Sequence, residues 1–115
     1  MSEQTMKQLN EIRNVIHTLI ETTDHLTTLA KAEELEQSVY IFASLIEGTE
    51  AVFKVLPTLE IDVVNHMEKT EQALLVISKA LENEALAVVS EVAKATLRPE
   101  LVAMAEESQT VLQNM

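Results

Sequence analysis

The scarcity of glycine and proline constrains the fold of this chain more than any other feature of its sequence. Of its 115 residues, one is glycine and two are proline. Sheets need these residues, because glycine reaches the positive φ angles of hairpin turns and proline fixes the bend of many others. Residues that favour helices, such as Ala, Leu, Glu, Gln, Lys and Met, are abundant instead. We therefore predict an all-α protein.

The hydrophobic content predicts one folded domain that covers residues 1–115. Hydrophobic residues make up 47% of the chain and charged residues 23%, a balance that supports a packed core. The longest apolar run, residues 39–46, is much shorter than the roughly 20 residues of a membrane-spanning helix. The chain has no cysteine, and its first residues lack the basic and apolar regions of a secretory signal. We expect a cytoplasmic protein that makes no membrane contact.

Apolar residues spaced three and four apart predict a first helix from Glu3 to Lys31 and a second that ends near Leu56. The acid-rich stretch between them places a turn at residues 31–34, because acidic residues favour the start of a helix. Gly48 lies inside the second helix, where it indicates either a kink or a close contact with a neighbouring helix.

Proline and asparagine mark the remaining boundaries. Pro57 separates the second helix from a third, which Thr58 is predicted to cap. Asn83, in a left-handed conformation, is predicted to end the third helix. Pro99 interrupts the fourth, where it fits the first position of a restarted helix. The predicted architecture is an antiparallel up-down bundle of four main helices, with the last one kinked or split at Pro99.

The charge and the missing residue types argue against several classes of function. The chain carries 19 acidic and 8 basic side chains, a net charge of −11, which repels nucleic-acid backbones. With three aromatic residues, it also lacks a platform on which bases could stack. Phosphate-binding loops need several glycines, and no nucleophile motif is present. We predict a non-enzymatic protein that makes no direct contact with nucleic acid.

Histidines and carboxylates one helical turn apart are the weak candidates for metal ligands. His17, Glu21 and His25 follow one another at four-residue spacing, and Asp62 and His66 repeat that spacing. Two such side chains can bind one ion. However, His17 and Glu21 point away from the predicted core, and such pairs are common on exposed helix surfaces. We therefore predict neither a metal site nor a bound cofactor.

Pairs of glutamates give the alternative function, a metal-dependent all-α enzyme. In all-α nucleotide pyrophosphohydrolases, Glu-x-x-Glu pairs on neighbouring helices hold Mg²⁺ against a pyrophosphate. The aspartate that closes the second pair in those enzymes is missing here, and so is a basic cluster for phosphate. The pairs in this chain are Glu33/Glu36, Glu47/Glu50 and Glu68/Glu71. A second alternative is an acidic nucleic-acid mimic, although the acids are spread over all four helices.

The chain has more apolar residues than the helical seams require, which indicates an interaction surface. Residues 39–46 are apolar on nearly every side of the second helix. The residues predicted to form the surface are Val39, Tyr40, Phe42, Ile46, Ile20 and Val76. We predict a protein-interaction, regulatory or chaperone-like adaptor with a protein partner. We also predict a homodimer with the second helix as its contact, because a two-fold interface uses one patch twice.

Overall fold

The computed structural model describes residues 3–59 and 63–114, and all regular structure in them is helical. The all-α prediction is confirmed. The elements in chain order are α1 (Glu3–Lys31), α2 (Leu35–Val55), a 3₁₀ helix (Leu56–Leu59), α3 (Val64–Glu82), α4 (Leu86–Val92), a π-helical segment (Ala93–Leu97) and α5 (Arg98–Gln113). The last three run on without a turn as the fourth helix of the bundle.

The helices form the elongated four-helix bundle that the sequence predicts. The bundle measures 46 × 21 × 19 Å, and α1 spans nearly all of its length at about 1.5 Å per residue. α1 packs against α2 and also against the fourth helix, which packs against α3 in turn. α2 and α3 share the smallest interface between neighbouring long helices. One of the four sides of the bundle is therefore open.

Two of the short connections contain a non-glycine residue with positive φ. Glu33 between α1 and α2 has φ 61°, and Glu84 between α3 and α4 has φ 56°. The prediction that Asn83 is left-handed is wrong, because its φ is −94° and the next residue makes the turn. In both turns an N–H reaches back five residues to close the helix end, as in a Schellman motif. These bonds join Glu34 N to Leu29 O at 3.0 Å and Ala85 N to Ala80 O at 2.8 Å.

The connection from α2 to α3 also differs from its prediction. Pro57 does end α2, but the chain continues as a 3₁₀ helix, whose φ angles suit proline. The Thr58 hydroxyl donates to the Val55 carbonyl at 2.6 Å and does not cap α3. α3 begins at Val64 without a side-chain cap. Asp62, one of the candidate metal ligands, lies outside the described residues.

The fourth helix is predicted to kink or split at Pro99. The structure instead has the π-helical segment there, which ends at Leu97, two residues before Pro99. Val89, Ala93, Leu97 and Leu101 are all fully buried and four residues apart. In an α-helix each four-residue step rotates a side chain by about 40° from the previous one. A π-helix has wider turns, with hydrogen bonds between residues five apart. The π-helical segment therefore keeps this row of side chains facing the core.

Gly48 permits the close approach of α1 and α2. α2 runs unbroken through it, and a Cβ built on Gly48 would lie 2.5 Å from Cδ2 of Leu19. Ordinary carbon contacts are about 3.5–4.0 Å, so even one methyl group would displace Leu19. Of the two interpretations of Gly48, the close helix contact is confirmed.

Ser38 is fully buried, and among the described residues its side-chain hydroxyl has no hydrogen-bond partner. We expect Ser38→Ala to raise the free energy of unfolding by about 1 kcal/mol, because it removes an unsatisfied polar group at nearly constant volume. The matched control is Ser108→Ala, since the equally buried Ser108 hydroxyl donates to the Met104 carbonyl at 3.0 Å. Ser108→Ala should leave the free energy of unfolding unchanged or lower it. Urea unfolding measures both, and a less stable Ser38→Ala would contradict the expectation.

Candidate functional site

A groove follows the open side of the bundle between α2 and α3. Two adjoining depressions, which share Ser78, form it. Its α2 wall consists of Val39, Phe42, Ile46, Thr49, Glu50 and Phe53, and its α3 wall of Glu71, Leu74, Leu75, Ser78, Leu81 and Glu82. We call this surface the α2–α3 groove.

Helical spacing explains why the α2–α3 groove is apolar. Val39, Phe42, Ile46 and Phe53 follow one another at intervals of three, four and seven residues, which places them on one side of α2. Phe42 is buried, whereas Ile46 and Phe53 are half-buried against the core. The side of α2 that would close a complete bundle thus remains in contact with solvent.

Leu75 is the most exposed apolar side chain of the groove. The α3 wall also carries Leu74 and Leu81, which point further toward the core and are half-buried and buried. Leu75 itself is 71% exposed. A leucine side chain left fully in water instead of being buried forgoes about 1.5–3 kcal/mol of stabilising free energy. This residue therefore marks the groove as an unsatisfied apolar surface.

The charged residues of the α2–α3 groove all have the same sign. Among its described lining residues, the ionisable ones are Glu50, Glu71 and Glu82. Glu50 and Glu71 line one depression from opposite helices, and Glu82 lines the other. The groove thus combines an apolar lining with acidic groups in both of its halves.

Two of the residues predicted to form an interaction surface belong instead to the core. Phe42 and Ile20 are 6% and 8% exposed and belong to the core cluster, so Phe42 lines the groove but offers a partner little area. Ile46 is half-buried in the groove. Phe42 and Ile46 illustrate how a run that is apolar on every side overstates the accessible area.

The other three predicted residues are exposed but do not form one patch. Val39 is 48% exposed at one end of the α2–α3 groove. Tyr40 is 74% exposed and lies in a separate depression between α1 and α2, together with His25 and Leu29. Val76 is 48% exposed and is not among the residues that line the groove. The structure therefore divides the predicted surface among different sides of the bundle.

The candidate metal ligands also lie apart. His17, Glu21 and His25 are exposed along α1. His66 on α3 pairs with Glu100 on α5, with 2.6 Å between His66 Nδ1 and Glu100 Oε2. Asp62 lies outside the described residues. Within residues 3–59 and 63–114, no three His, Asp or Glu side chains come together as a potential metal site.

The Glu-x-x-Glu pairs do not assemble into one site, because no more than one glutamate of any pair lines the α2–α3 groove. Glu50 and Glu71, from two different pairs, line the same half of the α2–α3 groove. Glu33 lies in the turn after α1, and Glu36 lines the depression around Tyr40. The structure thus brings together members of two pairs and keeps the third pair away from them.

Both arginines of the chain lie between α1 and α5. Arg13 Nη1 donates to Gln109 Oε1, while its buried Nε has no partner. Arg98 Nε donates to Asp24 Oδ1 at 2.8 Å. The second pair is exposed on both sides, where such pairs contribute little to stability. The arginines therefore connect α1 to α5, Arg13 in a partly buried contact and Arg98 at the surface.

One sequence feature pointed to the groove without being recognised as such, namely an apolar residue of α3 that lies off the apolar seam. Leu75 follows Leu74 directly and falls off the apolar seam of α3, as Val76 does. Because successive helical residues differ by about 100° in direction, the two off-seam residues mark different sides of α3. Only the positions of the neighbouring helices show that Leu75 faces the open side.

Comparison with known proteins places the chain in a family. No curated protein and no solved structure matches it. None of the described helices is long and apolar enough to cross a membrane. The model of one family, described as a domain of unknown function (DUF8042), matches residues 8–107, which is most of the chain. The protein is therefore a member of the DUF8042 family.

Proposed function

We propose that the protein is a non-enzymatic interaction module that binds a protein partner in the α2–α3 groove. The observation that carries this proposal is the apolar groove on the open side of the bundle, with Leu75 71% exposed at its surface. A partner that covered the groove would bury this side chain and the half-buried Ile46 and Phe53. Burial of such area is the main favourable term in most protein associations.

The chemistry of the groove supports binding more than catalysis. Its described lining has hydroxyls and glutamates among apolar side chains, and it has no histidine or basic residue. A mostly apolar surface with a few polar groups is typical of helix-binding grooves. In this proposal the protein acts as a cytoplasmic adaptor or chaperone-like module that holds an apolar segment of its partner.

A photoreactive amino acid at position 75 tests the proposed function. We expect Leu75→p-benzoyl-phenylalanine to form a covalent adduct with a partner protein in living cells of the source organism. The matched control is the same substitution at Val64, which is 57% exposed and lies outside both the groove and the depression around Tyr40. Mass spectrometry identifies each adduct. Equal labelling from both positions, or none from position 75, would overturn the proposal.

We also propose that the protein forms a homodimer through the exposed face of α2. Tyr40 is the most exposed large apolar residue of the described chain, and it lies beside Leu29 and Ile41 in the depression between α1 and α2, outside the groove. A two-fold contact would bury Tyr40 of both copies. The net charge of −11 per chain opposes this contact, so added salt should favour it.

Sedimentation equilibrium at micromolar concentration tests self-association. We expect a species of twice 12.8 kDa for the natural sequence and a larger monomer fraction for Tyr40→Glu. Leu75→Ser serves as the control, because it lies outside the proposed contact. A 12.8 kDa species at physiological salt would show that the exposed face of α2 does not mediate a dimer.

A further inference from the structure

We infer that the occupant of the α2–α3 groove is a basic amphipathic helix of about four turns. This inference rests on the proposed function, because it names the partner chemistry of the same groove. The α2 wall runs from Val39 to Phe53, which is about 21 Å at 1.5 Å per residue. An occupant helix that covers this length presents apolar residues at intervals of three and four.

Backbone chemistry favours a helix over an extended segment. A helix satisfies its N–H and C=O groups internally, so it can lie on an apolar surface without losing hydrogen bonds. An extended segment would face the side chains of Phe53, Leu74 and Leu75 with unpaired backbone groups. Each such group costs free energy when it leaves water. The open side of the bundle also lacks one helix neighbour, a position that a helix fits.

The glutamates determine the charge of the occupant. Glu50, Glu71 and Glu82 are all the charged residues among the described lining of the groove. Lys or Arg residues that flank the apolar stripe of the occupant would pair with them. A second copy of this chain is disfavoured there, because it would bring another net charge of −11 to the same glutamates. The total charge also steers basic segments toward the protein.

Synthetic peptides test both the helix and its charge. The probe is a fluorescent peptide of about 18 residues, with leucines at intervals of three and four and lysines beside them. A second peptide replaces each lysine by glutamate, and a third scrambles the lysine peptide so that its leucines no longer share one face. We expect fluorescence anisotropy to show binding of the first peptide at micromolar concentration and at least tenfold weaker binding of the other two.

Matched variants locate the contact. Leu75→Ser should abolish binding of the lysine peptide. The triple variant E50Q/E71Q/E82Q should weaken its binding by about tenfold, because it removes three exposed charge pairs that each contribute modestly. The control E11Q/E91Q/E107Q removes the same total charge at exposed positions outside the groove. It should change binding by less than about twofold at physiological salt.

The outcomes separate this inference from the proposed function. Equal binding of the lysine and glutamate peptides, both lost in Leu75→Ser, would overturn the basic charge of the occupant and keep the groove. Equal binding of the scrambled peptide, or equal effects of the two triple variants, would show nonspecific attraction and overturn the inference. Absence of peptide binding overturns the inference as well. The proposed function is tested separately by crosslinking, and it fails if position 75 gives no adduct or gives no more than the control position.

Discussion

Leu45→Ala is expected to lower the free energy of unfolding by about 3 kcal/mol. Leu45 is fully buried near the middle of α2. Truncation of a leucine at such a site removes its transfer free energy and leaves a cavity that the surrounding structure fills only in part. In a protein of this size a loss of that magnitude is a large share of the total stability. Urea unfolding measures this loss as a lower midpoint at an unchanged m-value.

Leu75→Ala is the matched control for Leu45→Ala, because it makes the same chemical change at a site that is 71% exposed. We expect it to change the free energy of unfolding by no more than about 0.5 kcal/mol. The same variant should bind the lysine peptide more weakly than the natural sequence does. Similar losses of stability at the two positions would mean that Leu75 is buried in solution, for example by a second copy of the chain.

Gly48→Val is expected to lower the free energy of unfolding by about 1–3 kcal/mol. Valine is a slightly better helix former than glycine, so propensity alone predicts a small gain. The Cβ position, however, is only 2.5 Å from Leu19 Cδ2, and valine adds two more methyl groups there. Overpacking of a tight interface costs about 1–3 kcal/mol. Thermal or urea unfolding distinguishes the loss from the gain.

A double-mutant cycle assigns the effect of Gly48→Val to the contact with Leu19. Leu19→Ala alone opens space in the α1–α2 interface. The double variant should therefore be more stable than additivity predicts, with a coupling free energy of about 1 kcal/mol or more. Ala51→Val, at an exposed position of α2, controls for the cost of a β-branched residue. If the free-energy changes of the two single variants are additive, the contact between Gly48 and Leu19 is not the cause of the destabilisation.

The helices were predictable from the sequence because their signals are local. The spacing of apolar residues and the scarcity of glycine predicted α1 with the bounds that the structure shows, Glu3–Lys31. The ends of other helices depended on finer balances. Asn83 tolerates the left-handed conformation well, yet the hydrogen bond from Ala85 N to Ala80 O places that conformation at Glu84. Pro57 was compatible with a 3₁₀ continuation as well as with a break.

The α2–α3 groove was not predictable in the same way, because it depends on which helices are neighbours. Apolar periodicity shows that α2 has a buried side, but not that α1 covers it better than α3 does. For this reason Phe42 and Ile20 seemed available for a partner, and Leu75 was missed. The missing information concerns contacts between residues far apart in the sequence, which a local pattern does not contain.

The open side of the bundle leaves α2 with fewer packed neighbours than α1, which bears on the local stability of α2. α2 rests mainly on α1, whereas α1 lies against both α2 and the fourth helix. Helices with fewer packed neighbours open locally at a lower free energy than the whole domain unfolds. An occupant of the groove gives α2 a second neighbour, and saturation at a hundred times Kd adds about 2.7 kcal/mol to the bound state. In the proposed complex, occupancy of the groove would therefore set how often α2 detaches, so that partner concentration would control the order of this helix.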